Sequence, residues 1–386
     1  MDEVLAPEGF AYASSPSVDP DDPGRFHALF GRDSLIVALQ LLPVRPDIAR
    51  ATLRVHARYQ GMRDDPETDE EPGKIVHEYR PQAPDRFEYM GWPLRDGELR
   101  YYGTADATCW FLVVLAALDE PDVTAELDAA WRAAGGWLER TLERGGGLVT
   151  HGPRAASGGL VQQGWRDTIN PLSGHHGGIL RPDGSVPEAP LADADTQAVA
   201  LVAARALKLL SGDERYDAML AALVDRMAEA FGPDTMAIEK GGRAVEGAGS
   251  QLGWLLWSDA LPEELVTRMA DRLSAPDVLT KFGLRTLSER SPVFDADSYH
   301  RGSVWPFDSW LGYGGLHAAG RDTEADIVRA GVLEAIERLG HAPELYAVGP
   351  DGPRPIPISN FVQAWTIGAR WALEERWDGR PAPLFS

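Results

Sequence analysis

The sequence predicts an all-α protein built as an (α/α)6 barrel, in which inner helices surround a pit and loops line its mouth. Eleven segments repeat apolar residues at three- and four-residue spacing, the period of an amphipathic helix, and many arrive as pairs joined by short polar turns. Between the pairs lie long segments rich in Gly and Pro, and loops of that length usually build a site. A helical solenoid is the alternative, but the sequence has no repeat of fixed period.

The eleven predicted helices run from residue 33 to residue 375. In chain order they are 33–42, 46–62, 104–118, 125–142, 194–210, 215–231, 251–258, 262–273, 304–319, 324–339 and 362–375. Pro46 suits the first turn of the second helix, where its missing N–H costs no hydrogen bond. A complete barrel of this kind has twelve helices, so the first one is expected to be missing or altered. Residues 1–27 are therefore assigned to an irregular N-terminal segment and residues 28–386 to the barrel.

The composition argues against several kinds of partner. The chain has 37 Lys and Arg residues against 59 Asp and Glu residues, which gives a formal net charge of −22. Such a surface repels phosphate backbones and anionic bilayers, so neither nucleic acid nor a membrane is an expected partner. The single cysteine, Cys109, lies in an apolar run and is expected in the core. No signal peptide or spanning segment is visible, which predicts a cytoplasmic protein.

The sequence lacks the common motifs for metals and cofactors. It contains no His-Glu-x-x-His pair, no phosphate-binding Gly-Lys-Ser/Thr loop and no dinucleotide glycine fingerprint. It also has no Gly-x-Ser-x-Gly elbow. The prediction is an enzyme without metal or cofactor. The acidic stretch 64–71 is interpreted as a solvated loop, with a calcium site as the less favoured alternative.

Two carboxylates in loop-like sequence carry the functional prediction. Asp167 lies two residues after Trp165, and a carboxyl beside an indole is partly desolvated, which favours its protonated form. Asp167 is therefore the candidate general acid. Glu344 is a lone charge in the apolar run 343–346, so it requires a partner, a water or a cleft, and it is the candidate general base. A turn-capping aspartate and an exposed loop glutamate are the non-catalytic alternatives.

Two carboxyls facing each other across a sugar are the minimum equipment for glycoside hydrolysis. In an inverting enzyme the acid protonates the leaving oxygen while the base activates a water. The two carboxyls then stand about 6.5–9.5 Å apart, against about 5–5.5 Å in a retaining enzyme.

Several other side chains are suited to bind a sugar. Arg32 and Asp33 offer a donor and an acceptor for vicinal hydroxyls, although Asp33 or Ser34 is also suited to cap the first helix. Trp165 and Trp305 offer flat faces to the C–H side of a sugar ring. The remaining candidates carry hydroxyl, carboxyl, amide, imidazole or guanidinium groups: Tyr101, Tyr102, Gln163, Asp195, Gln197, His300, Arg301 and Gln363. The two tyrosines fit the core equally well.

Several motifs, in one order, resemble the bacterial amylo-α-1,6-glucosidase (glycogen-debranching-type) glycosidases, which are related to the mannosylglycerate and glucosylglycerate hydrolases. The motifs are 30–40, 60–65, 70–78, 101–108, 163–167, 299–306, 343–346 and 363–365. The resemblance implies an (α/α)6 barrel and inverting hydrolysis of an α-glycosidic bond. It gives Asp167 the general-acid position and Glu344 the general-base position, and it implies that Arg32 and Asp33 hold the sugar beside the scissile bond.

The sequence departs from that family's motifs at a few positions. Arg301 and Phe307 stand where the family has Asn and His, and Asp195 stands where it has Glu. The run Asn360-Phe361-Val362 replaces the usual Cys-Ser-Pro.

Four functions follow from these patterns, each with a carbohydrate as the partner. The first is an inverting α-glycosidase acting on an oligosaccharide or small glucoside. The second is a hydrolase of a small anionic glycoside such as mannosylglycerate or glucosylglycerate, in which Arg301 pairs with the carboxylate of the aglycone. The third is a sugar epimerase or isomerase on the same barrel, with His300 or His176 as a base. The fourth is a carbohydrate-binding protein without catalysis.

Overall fold

The computed structural model describes residues 1–16, 24–89, 91–155, 159–167, 169–170, 175–176 and 178–385. These residues contain a 3-10 helix, Asp2–Val4, and fourteen α-helices. In chain order the α-helices are α1 (Gly31–Gln40), α2 (Pro46–Arg58), α3 (Arg86–Tyr89), α4 (Ala107–Leu118), α5 (Pro121–Glu126), α6 (Asp128–Arg144), α7 (Ala194–Ser211), α8 (Arg215–Ala230), α9 (Gln251–Trp257), α10 (Glu263–Leu273), α11 (Pro306–Ala318), α12 (Asp322–Leu339), α13 (Ala364–Glu374) and α14 (Ala382–Phe385). The eleven longest correspond one to one to the eleven predicted segments.

Six of the helices in the described chain form a closed ring. Around the ring, α1 packs against α4, α4 against α7, α7 against α9, α9 against α11, α11 against α13 and α13 against α1. These inner helices are largely buried, and all ten residues of α1 and all twelve of α4 are buried. Helix α4 contains no charged residue, which suits a helix surrounded by protein.

Five helices of the described chain pack outside this ring. Helix α2 lies against α1 and α4, α6 against α4, α8 against α7, α10 against α9, and α12 against α11 and α13. Each buries one face only, as α10 buries Leu265, Met269 and Leu273 while Glu264 and Arg268 are exposed. Within the described residues, no helix combines the length and the apolarity that crossing a bilayer requires.

The N-terminal segment packs where a further outer helix is expected. Phe10 joins Val55 of α2 in one apolar cluster, and Ser14 pairs with Gln363 at the start of α13. Over residues 1–16 the chain contains one 3-10 turn and no α-helix.

The expectation of an all-α chain is incomplete, because the long connections contain short strands. They are β1 (Leu29–Phe30), β2 (Glu78–Arg80), β3 (Leu94–Arg95), β4 (Glu98–Tyr101), β5 (Ile169–Asn170), β6 (His175–His176), β7 (Ala192–Asp193), β8 (Thr235–Ile238), β9 (Ala244–Glu246), β10 (Leu279–Thr280), β11 (Gly283–Leu284), β12 (Tyr346–Gly349) and β13 (Gly352–Pro355). All described pairings are antiparallel, and the largest sheet has the order β1-β2-β4-β3. These ladders satisfy backbone groups that would otherwise be unpaired in the long connections.

The six inner helices begin at the same end of the ring. Each contributes a residue from its N-cap or first turn to that end: Arg32, Asp106, Asp195, Ser250, Trp305 and Gln363. Arg166 joins two of these starts, since it donates to both Asp195 and Ser250. At the other end, Phe385 of α14 packs on Trp257, the last residue of α9. The helix starts therefore surround the end of the ring that is available for a site.

Candidate active site

A cavity of about 570 Å³ opens beside the starts of α1, α11 and α13. Nine of the predicted site residues line it: Arg32, Asp33, Trp165, Asp167, His300, Arg301, Trp305, Glu344 and Gln363. The two predicted catalytic carboxyls, far apart in the sequence, therefore border one cavity.

Asp167 is held by Arg32. Nη1 of Arg32 lies 3.3 Å from Oδ2 of Asp167, and Nε of Arg32 donates to Asp106 at 2.6 Å. Nη2 of Arg32 is buried and has no hydrogen-bond partner among the described residues. Because the side chain of Asp167 is 20% exposed, its carboxyl remains accessible from the cavity. Arg32 thus orients Asp167 and keeps one donor for a ligand.

The loop that carries Asp167 is anchored by Arg166. This guanidinium donates to Asp195 and Ser250, each at 2.8 Å, and lies 4.5 Å over the ring of Trp165. Asp195 belongs to α7 and Ser250 caps α9, so the loop is tied to two inner helices at once. This arrangement fixes the backbone beside Asp167.

Glu344 is surrounded by hydrogen-bond donors. The hydroxyl of Tyr299 donates to its Oε1, and the backbone N–H of Asn360 donates to its Oε2 at 3.1 Å. The side chain of Asn360 donates to Gln363 at 2.9 Å, and Nε2 of Gln363 lies 3.3 Å from Oδ1 of Asp33. Consecutive hydrogen bonds through Asn360 and Gln363 therefore link Glu344 to Asp33.

Gly31 sets the position of Arg32 and Asp33. A Cβ atom at Gly31 would lie 2.1 Å from the carbonyl oxygen of Val76, so no other residue fits without a shift of the backbone. The N–H of Gly31 donates to the carbonyl of His77 at 2.9 Å. The start of α1 is thereby held against the segment before β2, with Arg32 and Asp33 at the cavity.

Burial raises the pKa of three carboxyls in this cavity. The pKa of Asp167 rises to about 6, because desolvation outweighs the opposing charge of Arg32. The pKa of Glu344 rises to about 7, because desolvation outweighs the hydrogen bond from Tyr299. The pKa of Asp33 rises to about 8 through desolvation and through the charges of Glu344 and Asp167. Near neutral pH the cavity can thus offer both a proton donor and a proton acceptor.

His300 has a free imidazole at the same cavity. Both of its ring nitrogens are buried without a hydrogen-bond partner among the described residues, and Nε2 lies 4.0 Å from Oδ1 of Asp167. The ring stacks on Trp305 with a centroid distance of 4.9 Å. Burial lowers the pKa of His300 well below 6.5. A neutral imidazole here offers one donor and one acceptor to a ligand.

The two predicted tyrosines do not line the cavity. Tyr101 is fully buried behind its wall, where it packs edge to face on Trp92 and His77. The hydroxyl of Tyr102 donates to the carbonyl of Tyr59 at 2.9 Å. Their large rings are used for packing, and the structure thus selects the core alternative for both tyrosines.

Two predicted glutamines also lie outside the cavity. Gln163 donates from Nε2 to Asp69 at 2.9 Å and borders a different pocket. Gln197 lies inside α7, where its amide accepts from the N–H of Val149 and donates to its carbonyl. Each amide satisfies groups of the protein, so the expectation that these two side chains contact the sugar is wrong for this arrangement.

Several residues that hold the site have no role predicted from the sequence. They are Asp106, Arg166, Tyr299, Asn360 and Trp365. All of them except Asn360 lie within the sequence motifs shared with the debranching-type glycosidases, and that position was the one available signal. The side chain of His176, a base in the epimerase alternative, lies outside the described residues. Among the side chains that are described, no three of His, Cys, Asp or Glu are grouped to hold a metal ion.

Comparisons with known proteins show the family and the fold. The mannosylglycerate hydrolase MGH1-like glycoside hydrolase domain matches residues 29–346. The GH63 mannosylglycerate hydrolase from Thermus thermophilus in complex with Tris superposes with a TM-score of 0.71 at 16% identity, over 97% of this chain and 98% of that one. Its complex with Tris and D-glycerate gives 0.70 at 16% identity, over 97% and 98%. Its complex with glucose gives 0.67 at 17% identity, over 95% and 96%.

None of the curated proteins compared matches this sequence. At these identities the likeness to solved structures concerns the fold. The domain match extends over most of the chain and includes both Asp167 and Glu344. The chain belongs to the MGH1-like glycoside hydrolase family, and it is a glycoside hydrolase.

Proposed function

We propose that this chain is an inverting hydrolase of a small α-glycoside whose aglycone carries a carboxylate, of the mannosylglycerate or glucosylglycerate type. Residues 28–386 form its (α/α)6 catalytic barrel, and residues 1–27 are an irregular segment at the place of the first outer helix. The observation that carries the proposal is that Asp167 and Glu344 border one cavity, each with a raised pKa.

The reaction assigns one proton transfer to each carboxyl. Asp167 gives its proton to the glycosidic oxygen as the bond from that oxygen to the anomeric carbon breaks. A water forms the new bond to the anomeric carbon from the opposite face, and Glu344 takes the proton that this water loses. The products are a free sugar of inverted configuration and a hydroxy acid. Exchange with solvent then returns a proton to Asp167 and removes one from Glu344.

The sugar at the scissile bond is held by groups that still have hydrogen-bonding capacity. Nη2 of Arg32 and both nitrogens of His300 are buried and have no partner among the described residues. Asp33 adds a carboxyl, and Trp92 and Tyr299, which are partly exposed, add aromatic surface to the lining. A ligand with several hydroxyls and one apolar face matches this set, which is the chemistry of a pyranose.

Two arginines at the same cavity support an anionic aglycone. Arg301 donates from Nη1 to the carbonyl of Val293 at 2.7 Å, its Nη2 lies 3.8 Å from Asp295, and its buried Nε has no partner in the described chain. Arg25 also lines the cavity and lies 5.1 Å over the ring of Phe26. Arg32, the third arginine of the lining, already donates to Asp106 and Asp167, so Arg25 and Arg301 are the lining cations suited to pair with a carboxylate of the aglycone.

The family and one of the solved structures support the same substrate class. The matching domain takes its name from a mannosylglycerate hydrolase, and one structurally similar protein was solved in complex with D-glycerate. A debranching-type specificity for α-1,6-linked glucose is the competing assignment. The cavity volume of about 570 Å³ suits a ligand of disaccharide size and favours the small glycoside.

A substrate panel tests the proposal. We expect release of sugar from mannosylglycerate or glucosylglycerate with a kcat/KM at least about 100-fold above that for maltose and isomaltose, a difference of about 2.7 kcal/mol in transition-state binding. Asp167→Asn and Glu344→Gln should each lower kcat by about 10²–10⁴-fold with the fold preserved. Asp47→Asn, an exposed residue on α2, is the matched control.

Three results would reject parts of this proposal. Preference for isomaltose would reassign the substrate, and near-wild-type turnover by Asp167→Asn or Glu344→Gln would remove the assigned roles. Interconversion of free monosaccharides without bond cleavage would instead favour the epimerase alternative.

A further inference from the structure

A second pocket lies beside α6. None of the residues described in its lining also lines the active-site cavity. Its volume is about 380 Å³, and its charged and aromatic lining consists of Glu71, Lys74, Trp137, Arg144, His151 and Arg154. Three cations thus face one carboxylate, in a chain whose formal net charge is −22. We call this the α6 pocket.

Lys74 is buried at the α6 pocket with one carboxylate, that of Glu71, at the far limit of ion-pair distance. Its exposed fraction is 4%, its ammonium lies 3.3 Å from the carbonyl of Asp69, and Glu71 is 3.9 Å away. An ammonium has three N–H donors, so one long hydrogen bond leaves most of its capacity unused. Burying an ammonium with only these two long contacts is costly, which makes an added acceptor favourable.

Both arginines of the pocket are already paired with carboxylates. Lys74 is therefore the lining cation whose charge is least compensated by a close acceptor. Arg144 donates to Oε2 of Glu71 at 2.6 Å, while Oε1 of Glu71 lies 3.9 Å from the ammonium of Lys74. Arg154 pairs with Asp64 and donates to the carbonyl of Glu70 at 3.0 Å. The interpretation of 64–71 as a solvated loop is therefore wrong for its second half, since the structure buries residues 68–71.

Trp137 provides a second unsatisfied donor. Its indole is buried at the pocket, and its Nε1 has no acceptor among the described residues. A ligand that accepts from both Lys74 and Trp137 must carry acceptor oxygens and negative charge. Phosphate and carboxylate groups have that chemistry.

The pocket is connected to the loop that carries Asp167. His151, in the pocket wall, accepts a hydrogen bond from the N–H of Gln163 at 3.1 Å. Gln163 also donates to the carboxylate of Asp69, whose carbonyl contacts Lys74. Lys74 is therefore linked through Asp69 to Gln163, a residue of the catalytic loop.

We propose that the α6 pocket binds a small oxyanion of the phosphate or carboxylate type through Lys74, Arg144 and the indole N–H of Trp137. The site is separate from the active-site cavity, and the proposal does not depend on which glycoside is hydrolysed.

Isothermal titration calorimetry of the full chain tests this site with inorganic phosphate and with acetate, a carboxylate that lacks the hydroxyls of the proposed aglycone, against chloride at equal ionic strength. We expect one saturable site for at least one of the two oxyanions, and the tighter one identifies its chemistry. Arg144→Gln should weaken this binding at least tenfold. Arg132→Gln should not, because Arg132 lies on the same helix with similar exposure, 59% against 55%, and pairs with Asp128 outside the pocket.

Lys74→Gln provides an independent variant and should abolish saturation, with circular dichroism as the check of folding. Arg301→Gln locates the site, because it alters the active-site cavity alone and should leave the binding unchanged. The proposal is overturned by no saturable heat from either oxyanion, by equal binding in Arg144→Gln and Arg132→Gln, or by loss of binding in Arg301→Gln.

Discussion

The hydroxyl of Tyr299 donates a hydrogen bond to Oε1 of Glu344, so a residue before α11 orients a carboxylate that follows α12. The backbone N–H of Asn360 donates to Oε2, so a hydrogen bond orients each carboxylate oxygen of the proposed general base. This hydrogen bond from Tyr299 also lowers the pKa of Glu344, against the larger effect of burial.

Tyr299→Phe should therefore raise the pKa of Glu344. The base would then be ionised only at higher pH, so kcat/KM should fall about tenfold at pH 6 and less at pH 8. The measurement is the pH profile of kcat/KM for the variant and the wild type. An identical profile, or a uniform loss at all pH values, would show that Tyr299 does not act through Glu344.

The wild-type enzyme should show a bell-shaped pH profile. The productive state has a proton on Asp167 and none on Glu344, and the two carboxyls have pKa values of about 6 and about 7. Glu344 gains its proton as pH falls through about 7, and Asp167 loses its own as pH rises through about 6, so the productive state is a minor form that is most populated between these two values. We therefore expect maximum kcat/KM between about pH 6 and pH 7, with a decline on both sides. A constant kcat/KM from about pH 5 to pH 8 would contradict this assignment.

Asp33→Asn should stabilise the protein at high pH while it impairs sugar binding. The pKa of Asp33 is about 8 in the fold, above its ordinary value of 3.8, so the folded state holds this proton more tightly than the unfolded state does. The free energy of unfolding therefore falls as pH rises from about 4 to about 8, and the variant escapes that loss.

One pH unit corresponds to about 1.4 kcal/mol. Between pH 5 and pH 8 the free energy of unfolding of Asp33→Asn should therefore rise, relative to that of the wild type, by at most about 4 kcal/mol. Thermal unfolding at both pH values measures it. Asp47→Asn is the control, because the pKa of Asp47 is lowered by its hydrogen bond from Arg45 and no such gain is expected. If the difference in Tm between Asp33→Asn and the wild type is no larger at pH 8 than at pH 5, the pKa of Asp33 is not raised in the folded protein.

Arg301→Gln should separate binding of the aglycone from chemistry. The arginine lines the cavity, so its loss should raise KM for an anionic glycoside by about tenfold to 100-fold, with a smaller effect on kcat. Steady-state kinetics on mannosylglycerate and on a neutral aryl glycoside of the same sugar measure the difference. Equal losses on both substrates would exclude a role in recognising the carboxylate.

The helices could be predicted from the sequence because their pattern is local. Helix α4 is apolar on every side, and α10 alternates apolar and charged faces within eleven residues, so each carries its own signal. The short strands carry none, because β12 and β13 are four residues each and their pairing is set by the fold. That pairing explains why the expectation of an all-α chain was incomplete.

The site was predictable where a residue's chemistry conflicts with its sequence neighbourhood. Glu344 among apolar residues and Asp167 beside a tryptophan are such conflicts, and both line the cavity. Gln197 gave no comparable signal, because an amide serves a backbone group as well as a sugar. The pairing of Tyr299 with Glu344 joins two distant segments, and sequence spacing contains no information about it.

The stereochemistry of the released sugar tests the central claim most directly. Proton NMR during the first minutes of hydrolysis of an α-glycoside substrate distinguishes the two anomers before they equilibrate. If Glu344 directs a water at the face opposite to the bond that Asp167 protonates, the β anomer appears first. First appearance of the α anomer would show retention and contradict the roles proposed for this pair.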